Sequence, residues 1–261
     1  MNKLLLLTLL ASLLVSGALA ATPEEARGLE IAIEADRRDT GFKNSRADML
    51  MVLQNRQGQT SERRLRIKTL EVENDGDKSL SIFDHPADIK GTAFLSYTHS
   101  IEPDDQWLYL PALRRVKRIS SRNKSGPFMG SEFAYEDLTS SEVDKYTYKY
   151  LRDEELEGHA TFVIERYPAY EDSGYTRQIV WIDQKIYQPR KIEFYDRKNT
   201  LLKTLIPTDY NQYLGRYWRP NHMHMVNHQT GKSTRLTWNN YRFQTGLTER
   251  DFDRNSLKRA R

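Results

Sequence analysis

Alternation of apolar and polar residues is the feature that most restricts the fold of this chain. Between residues 62 and 72, for example, Leu65 and Ile67 alternate with Arg64 and Arg66. A period of two places alternate side chains on opposite faces of a β-strand. The pattern therefore predicts strands with one dry face and one wet face, as is typical of antiparallel sheets.

Turn signals separate the alternating segments, as at residues 57–59, 74–77 and 229–231. The segments lie at residues 47–56, 62–72, 79–83, 92–98, 104–111, 145–151, 160–167, 177–183, 189–196, 200–206, 217–228 and 232–243. We predict a mainly β (α+β) fold in which roughly ten to eleven of these twelve segments form the strands of an antiparallel meander. Because so large a sheet rarely stays flat, it forms either a closed barrel or a strongly curved sheet.

Capping patterns predict helical structure at both ends of the predicted sheet. A Thr-Pro-Glu-Glu run at residues 22–25 combines an N-cap hydroxyl, a proline at the first helical position and a glutamate three residues after the cap. It predicts a helix to near Arg38 that lies on the sheet through the face carrying Ala26, Leu29 and Ile33. A closing helical turn is predicted to begin at Thr248, with Asp251 as its cap partner, and to bury Phe252 and Leu257.

The N-terminal segment predicts export. Lys3 is followed by an apolar run and by the small-residue sequence Ala18-Leu19-Ala20, a pattern typical of a cleavable signal peptide at residues 1–20. The chain has no cysteine, so we expect neither disulfides nor a lipid anchor. We therefore expect residues 21–261 to form a single periplasmic domain.

The charge of the chain is mildly positive, +4 in total and +3 after loss of Lys3. With 36 acidic residues interspersed, it does not show a nucleic-acid footprint. The basic C-terminus allows peripheral contact with anionic lipid at most, and a solvated terminus is the alternative.

The central stretch, residues 104–138, combines a strand with an unusually apolar loop. Trp107 and Tyr109 share one face of the strand, and Leu108 and Leu110 share the other. Two glycines and a proline follow, together with four large apolar residues at positions 128, 129, 133 and 135. Such a loop either folds onto the core or forms a mobile apolar flap over a lipid-sized cavity.

No enzyme motif is recognisable, and thiol catalysis is excluded by the lack of cysteine. We expect no catalytic activity and no cofactor. His222, His224 and His228 have even spacing, so they share one face of a strand and could ligate zinc. The alternative is that they form the wet side of a strand whose other face carries Met223 and Met225.

Several segments resemble one known family, the outer-membrane lipoprotein-sorting-like, or LolA-like, group of exported proteins. These segments are residues 105–111, 115–119, 128–138, 189–196, 218–220, 223–227, 230–231 and 243–247. The resemblance implies an unclosed β-barrel with helices on its concave side. It also implies a periplasmic carrier of acyl chains, and proteins of this family are often encoded beside resistance-nodulation-division (RND) lipid exporters, which are candidate partners.

The leading hypothesis is a carrier that shields the acyl chains of a lipid or lipoprotein. The residues expected to contact these chains are Trp107, Tyr109, Phe128, Met129, Phe133, Tyr135, Leu65, Ile67, Phe94, Met223, Met225 and Trp238. Arg115, Lys117 and Arg118 are expected to contact an anionic headgroup or a transporter. The alternative is an accessory subunit that uses the same scaffold to dock on an inner-membrane exporter.

Overall fold

The structure, a computed structural model, describes residues 21–259, so the predicted signal peptide lies outside the described residues. In the described part a helix, α1 (Pro23–Asp39), precedes thirteen strands. The strands are β1 (Asn44–Gln54), β2 (Thr60–Leu70), β3 (Lys78–His85), β4 (Ala93–Tyr97), β5 (Asp105–Leu110), β6 (Arg115–Ile119), β7 (Tyr146–Leu156), β8 (His159–Pro168), β9 (Tyr175–Asp183), β10 (Pro189–Asp196), β11 (Leu201–Tyr213), β12 (Tyr217–Asn227) and β13 (Ser233–Phe243). Among residues 21–259, no helix has the length and apolar character that a membrane span needs.

One antiparallel sheet contains all thirteen strands, in the order β6-β5-β4-β3-β2-β1-β13-β12-β11-β10-β9-β8-β7. Each strand pairs with its neighbour in sequence, except that β1 pairs with β13 and that β6 and β7 form the two edges. The sheet is therefore curved and unclosed. The prediction of ten to eleven strands is too low; in particular, it did not assign a separate strand to the highly charged β6.

Helix α1 begins as predicted. The Thr22 hydroxyl accepts a hydrogen bond from the Glu25 N–H (3.2 Å), and the Glu25 carboxylate accepts one from the Thr22 N–H (2.8 Å). The predicted buried face is wrong, however, because Leu29 and Ile33 are 42% and 49% exposed. The buried residues of α1 are instead the two small residues Gly28 and Ala32, together with Ile31, which lies on a different face from the predicted one.

Glycine explains which face of α1 turns inward. A Cβ atom at position 28 would lie 2.9 Å from the backbone nitrogen of Tyr150 on β7, a distance that real Cβ atoms essentially never show. The absence of a side chain at Gly28 thus lets the helix lie directly on the backbone of an edge strand. Close backbone approach determines the helix orientation more strongly than the two larger apolar residues do.

Every strand contributes a side chain to one apolar cluster on the concave face, which we call the inner cluster. One member from each strand, in chain order, is Met49, Leu65, Phe83, Phe94, Leu108, Ile119, Tyr148, Phe162, Val180, Ile192, Leu205, Met225 and Leu236. The cluster includes residues of both edge strands, Ile119 of β6 and Tyr148 of β7. Curvature of the sheet thus brings its two halves together around a common interior.

A second cluster, the outer cluster, covers the opposite face of β3–β5. It consists of Leu80, Ile82, Ala93, Leu95, Trp107, Leu247, Phe252 and Leu257. The last three belong to the C-terminal segment, whose predicted cap is present: the Thr248 N–H donates to Asp251 Oδ2 (3.0 Å). Phe252 and Leu257 are completely buried, as predicted.

Candidate functional site

The connection between the two edge strands contains a compact flap, defined here as residues 124–138. Backbone hydrogen bonds fold it back on itself: the Phe128 N–H donates to the Phe133 carbonyl (2.7 Å), and the Tyr135 N–H donates to the Gly126 carbonyl (3.1 Å). Two short 3-10 helices, Phe128–Gly130 and Tyr135–Leu138, complete it. The flap is therefore an ordered element with its own internal hydrogen bonds.

The apolar side of the flap fills the concave interior beside β3 and β4. The ring of Phe128, which is 1% exposed, lies 5.9 Å from that of Phe83, 5.2 Å from that of Phe94 and 5.5 Å from that of Tyr135, centroid to centroid. Phe133 is also buried in the inner cluster. The flap aromatics therefore fill this part of the concave interior.

A buried ion pair fastens the flap to the other half of the sheet. Lys203 Nζ on β11 lies 2.6 Å from Asp137 Oδ2 and also donates to the carbonyl of Glu132 (3.0 Å). The Tyr175 hydroxyl on β9 donates to Asp137 Oδ1 (2.8 Å). Burial, followed by the Asp137 charge, raises the pKa of Tyr175. We call Asp137, Lys203 and Tyr175 the latch.

Glu136 makes a second attachment, to the loop between β8 and β9. Its carboxylate accepts hydrogen bonds from the Gly174 N–H (2.9 Å), the Ser173 hydroxyl (2.9 Å) and the Tyr170 hydroxyl (3.0 Å). Burial is the main cause that raises the pKa of Glu136, and the neighbouring Asp137 charge adds to it. This carboxyl group is consequently stabilised in its protonated form relative to an exposed glutamate.

The tip of the flap contacts β12 and β13, which lie near the middle of the sheet. The Glu132 N–H donates to the Thr234 hydroxyl of β13 (2.9 Å), and the Asn227 side-chain amide of β12 donates to the Glu132 carboxylate (2.7 Å). Aromatic packing thus holds the flap to β3 and β4, while polar contacts hold it to β9 and β11–β13. The flap bridges the two halves of the half-barrel.

Ten of the twelve predicted acyl-chain contacts lie together. The flap residues Phe128, Met129, Phe133 and Tyr135 belong to the inner cluster or pack against it, as do the strand residues Leu65, Ile67, Phe94, Met223, Met225 and Trp238. The sequence prediction missed the latch residues Lys203 and Tyr175. Lys203 has the same strand parity as Leu205, an inward position, and that signal could have identified it.

The predicted placement of Trp107 and Tyr109 requires correction. Trp107 lies in the outer cluster and Tyr109 packs against that cluster. The ring of Trp107 lies 5.0 Å from that of Tyr97 and under the guanidinium of Arg254 (5.9 Å). The C-terminal segment covers this face of β5, so Leu108 and Leu110, not the two aromatic residues, are directed to the concave interior.

The predicted basic contacts lie on the exposed edge strand β6. Arg115, Lys117 and Arg118 are exposed, and Arg118 forms an ion pair with Asp105 on β5. Strand β6 has no neighbouring strand on its outer side. Positive charge at such an edge disfavours pairing with the edge of another sheet. The arrangement leaves Arg115 and Lys117 directed to solvent near one edge of the half-barrel.

Of the three histidines, His222 and His224 lie on β12, whereas His228 directly follows the strand. His222 Nδ1 lies 3.2 Å from the Thr237 hydroxyl, and His228 Nε2 lies 2.7 Å from the Thr204 hydroxyl. Burial lowers the pKa of His224, and the charge of Arg235 lowers it further. Within residues 21–259, no group of three or more histidine, cysteine, aspartate or glutamate residues is arranged to hold a metal ion.

Comparisons with known proteins agree with this architecture. A family model described as an uncharacterized protein matches residues 75–259. A solved domain from Vibrio parahaemolyticus, named as an outer membrane lipoprotein-sorting protein domain, is 59% identical. The match covers 90% of this chain and 99% of that one, with a TM-score of 0.88. No curated protein matches the chain.

Two further solved structures share the fold. A DUF1329 family protein from Desulfovibrio piger is 29% identical over 90% of this chain and 100% of its own length, with a TM-score of 0.85. A LolA superfamily protein from Nitrosomonas europaea is 20% identical over 87% of this chain and 98% of its own length, with a TM-score of 0.70. The latter likeness concerns the fold alone.

Proposed function

The chain belongs to the outer membrane lipoprotein-sorting protein family, and from this premise we propose that it is a periplasmic carrier of lipid or lipoprotein acyl chains. The acyl chains would bind along the inner cluster, in the space that the flap occupies in this structure. Transfer between membranes, or to or from an RND-type exporter, would follow opening of the flap.

One observation carries the proposal: the concave interior is filled by an element that is separate from the sheet. Phe128 and its neighbours come from a connection with its own hydrogen bonds, not from a strand. Such an element can leave without breaking the hydrogen-bond ladders between strands. The surface that it uncovers includes the rings of Phe83 and Phe94, which belong to the inner cluster that all thirteen strands share.

Magnitudes favour a ligand with more than one chain. Exposing the four large flap side chains costs about 1.5–3 kcal/mol each, or about 6–12 kcal/mol together. Burial of an acyl chain stabilises by about 0.8 kcal/mol per methylene, so roughly 8–15 methylenes offset that cost. Burial of one long acyl chain would approximately offset the cost of exposing the flap side chains. Burial of two or three acyl chains would leave a net favourable free energy of binding.

Lipid extraction tests the proposal directly. The protein, expressed with its signal and purified from the periplasm without detergent, should contain co-purified diacyl lipid or lipoprotein, and the emptied protein should bind a fluorescent fatty-acid probe. An empty protein that ignores the probe at micromolar concentration would contradict the carrier function.

A second candidate function is favoured by the close packing of the flap. With Phe128 buried and Asp137 held in an ion pair, the scaffold could act as an accessory subunit that docks on an inner-membrane exporter while its interior stays filled. This candidate requires that cross-linking the flap to the sheet leave exporter binding and activity intact. The carrier function requires that the same cross-link abolish lipid binding.

A further inference from the structure

A pocket of about 400 Å³ lies where four separate parts of the chain meet. Its walls come from the β4–β5 loop (residues 100–104), the base of the flap (Lys124), residues 144–145 before β7, and the β8–β9 loop (residues 169–172). This volume is within the range of roughly 300–1,000 Å³ that small-molecule sites have. The pocket lies outside the inner cluster, and neither the family nor the proposed acyl site assigns it a role.

The pocket contains an unequal set of buried charges. The side chains of Asp104, Lys124 and Lys145 are each more than nine-tenths buried. Asp104 is shared by both lysines: its Oδ1 forms an ion pair with Lys145, and its Oδ2 lies 3.4 Å from Lys124 Nζ. Oδ1 also accepts the His99 N–H (3.2 Å). Two buried ammonium groups therefore share one carboxylate, which leaves one positive charge without a matched carboxylate among these three.

Lys124 is the less well satisfied of the two lysines. Within the described part of the chain, Lys124 forms an ion pair only with Asp104, and that contact is long, whereas Lys145 makes the short one. Desolvation lowers the pKa of Lys124, which is the expected response of a buried and incompletely paired ammonium group. A buried charge is costly unless it is paired, so an anionic group delivered to this ammonium would be stabilised.

The opposite charge lies at the outer part of the same pocket. Glu102, Asp144, Glu171 and Asp172 line it and are exposed. A ligand that carried only negative charge would be repelled by these carboxylates. A ligand that carried only positive charge would leave the inner ammonium groups unmatched. The charge order, positive inside and negative outside, matches a zwitterion that enters with its anionic end first.

We propose that this pocket binds the zwitterionic headgroup of an aminophospholipid, with its phosphate at Lys124 and Lys145 and its primary ammonium among the outer carboxylates. A primary ammonium offers three N–H donors to carboxylate oxygens, which a quaternary ammonium lacks. The proposal rests on the proposed acyl-chain function and names the class of lipid that the carrier would select.

The pocket adjoins the inner cluster through a contact between two aromatic rings. Tyr170 lines the pocket, and its ring lies 6.1 Å from that of Tyr146, which packs against the inner cluster. Lys124 is itself the first residue of the flap, and its carbonyl accepts the Glu136 N–H (3.0 Å). A headgroup bound at Lys124 would thus lie beside the base of the element that must move for the acyl chains to enter.

Calorimetric titration with a short-chain lipid below its micelle concentration tests the site. Dihexanoyl phosphatidylethanolamine should bind the wild-type protein, and Lys124→Gln should weaken binding at least tenfold. The matched control, Lys232→Gln, removes the same charge from an exposed position in the turn between β12 and β13 and should leave the affinity unchanged. Equal binding by wild type and Lys124→Gln would overturn the proposal.

A second variant tests the outer carboxylates without touching a buried group. Glu171→Gln combined with Asp172→Asn should weaken binding of dihexanoyl phosphatidylethanolamine severalfold but should not weaken binding of dihexanoyl phosphatidylglycerol, which has no ammonium. Asparagine suits position 172 because that residue has a φ of +66°. Equal loss for both lipids, equal wild-type affinity for the phosphatidylcholine analogue, or equally tight binding of inorganic phosphate would each overturn the proposal.

The outcomes separate this proposal from the acyl-chain function. If the fatty-acid probe binds but short-chain phosphatidylethanolamine does not, the headgroup site is contradicted and the carrier function stands. If neither binds, both are contradicted. Lys124→Gln leaves a one-to-one Lys145–Asp104 pair, so its melting temperature should equal or exceed that of the wild type, and binding can be measured on folded protein.

Discussion

Lys203 Nζ lies 2.6 Å from Asp137 Oδ2, and this ion pair joins strand β11 to the flap across the concave interior. Both side chains are almost completely buried, at 4% and 6% exposure. A buried ion pair offsets the cost of its desolvation only when both partners are present. The closed position of the flap therefore depends on two residues that are 66 positions apart in the sequence.

Removing one partner of this pair should release the flap. Lys203→Met leaves the Asp137 carboxylate buried without its cation, and we expect a loss of about 3–5 kcal/mol in the free energy of unfolding, measured by urea denaturation. The control is Arg66→Gln, which breaks a half-exposed pair with Asp84 and should cost about 1 kcal/mol or less. Similar losses in the two variants would contradict the role of the latch.

Truncation of the flap aromatic should affect both stability and ligand binding. Phe128→Ala leaves a cavity against Phe83 and Phe94 and should destabilise by about 3–5 kcal/mol. It also lowers the cost of displacing the flap, so its affinity for a fluorescent fatty acid should rise. Phe252→Ala removes an equally buried ring from the outer cluster. This control should lose comparable stability with no change in probe affinity, and a rise in both variants would contradict the assignment of the site.

A side chain added beside the base of the flap should make the flap open more often. A Cβ at position 174 would lie 2.8 Å from Ser125 Cβ and 2.9 Å from Glu136 Oε1. Gly174→Ala should therefore speed amide hydrogen exchange in residues 124–138, measured by mass spectrometry. Gly28→Ala creates a similar clash under α1 and should speed exchange in the helix instead. Unchanged flap exchange in Gly174→Ala would show that this contact does not hold the flap closed.

Stability should decline as pH rises toward neutrality, because Asp77 holds a proton in the folded state. Burial, followed by the charge of Glu142, raises the pKa of Asp77 to about 8. The folded protein then binds more protons than the unfolded chain between about pH 4 and pH 8, so this contribution to stability is complete below pH 4 and is lost as pH rises to 8.

Substitution of Asp77 provides the measurement. Between pH 5 and 7.5 the free energy of unfolding of the wild type should fall more steeply than that of Asp77→Asn, by about 1 kcal/mol per pH unit. Glu136 and Glu142, whose pKa values burial also raises, contribute in the same direction to both proteins. Parallel pH profiles would contradict a protonated Asp77.

Local patterns allowed most of the strands to be predicted, because alternation and capping depend on residues close in sequence. The Thr22 and Thr248 caps are both confirmed. Which face of a strand is directed to the interior was harder to predict. On β5 both faces are apolar, and the choice between Trp107 and Leu108 as the inward residue is made by the C-terminal segment, more than 130 positions away.

Part of the candidate site is formed by contacts between residues that are distant in sequence, and local patterns do not reveal such contacts. The placement of four flap residues and six strand residues in or against the inner cluster could be predicted, because large apolar side chains in a loop or at inward strand positions are informative on their own. Lys203 was missed because its role depends on Asp137, and the buried charges around Asp104 were missed because its partners Lys124 and Lys145 come from other segments. Long-range charge pairing is visible only once the strands are placed.

Photo-cross-linking with a diazirine-bearing diacyl phospholipid tests the central claim most directly, because it reports which face of the sheet the acyl chains touch. Phe94 and Leu95 are neighbours on β4, yet Phe94 lies in the inner cluster and Leu95 in the outer cluster. If acyl chains replace the flap in the concave interior, cross-links should map to Phe94, Met225 and Leu65. Cross-links at Leu95 and the rest of the outer cluster, or none on a protein that remains folded, would contradict it.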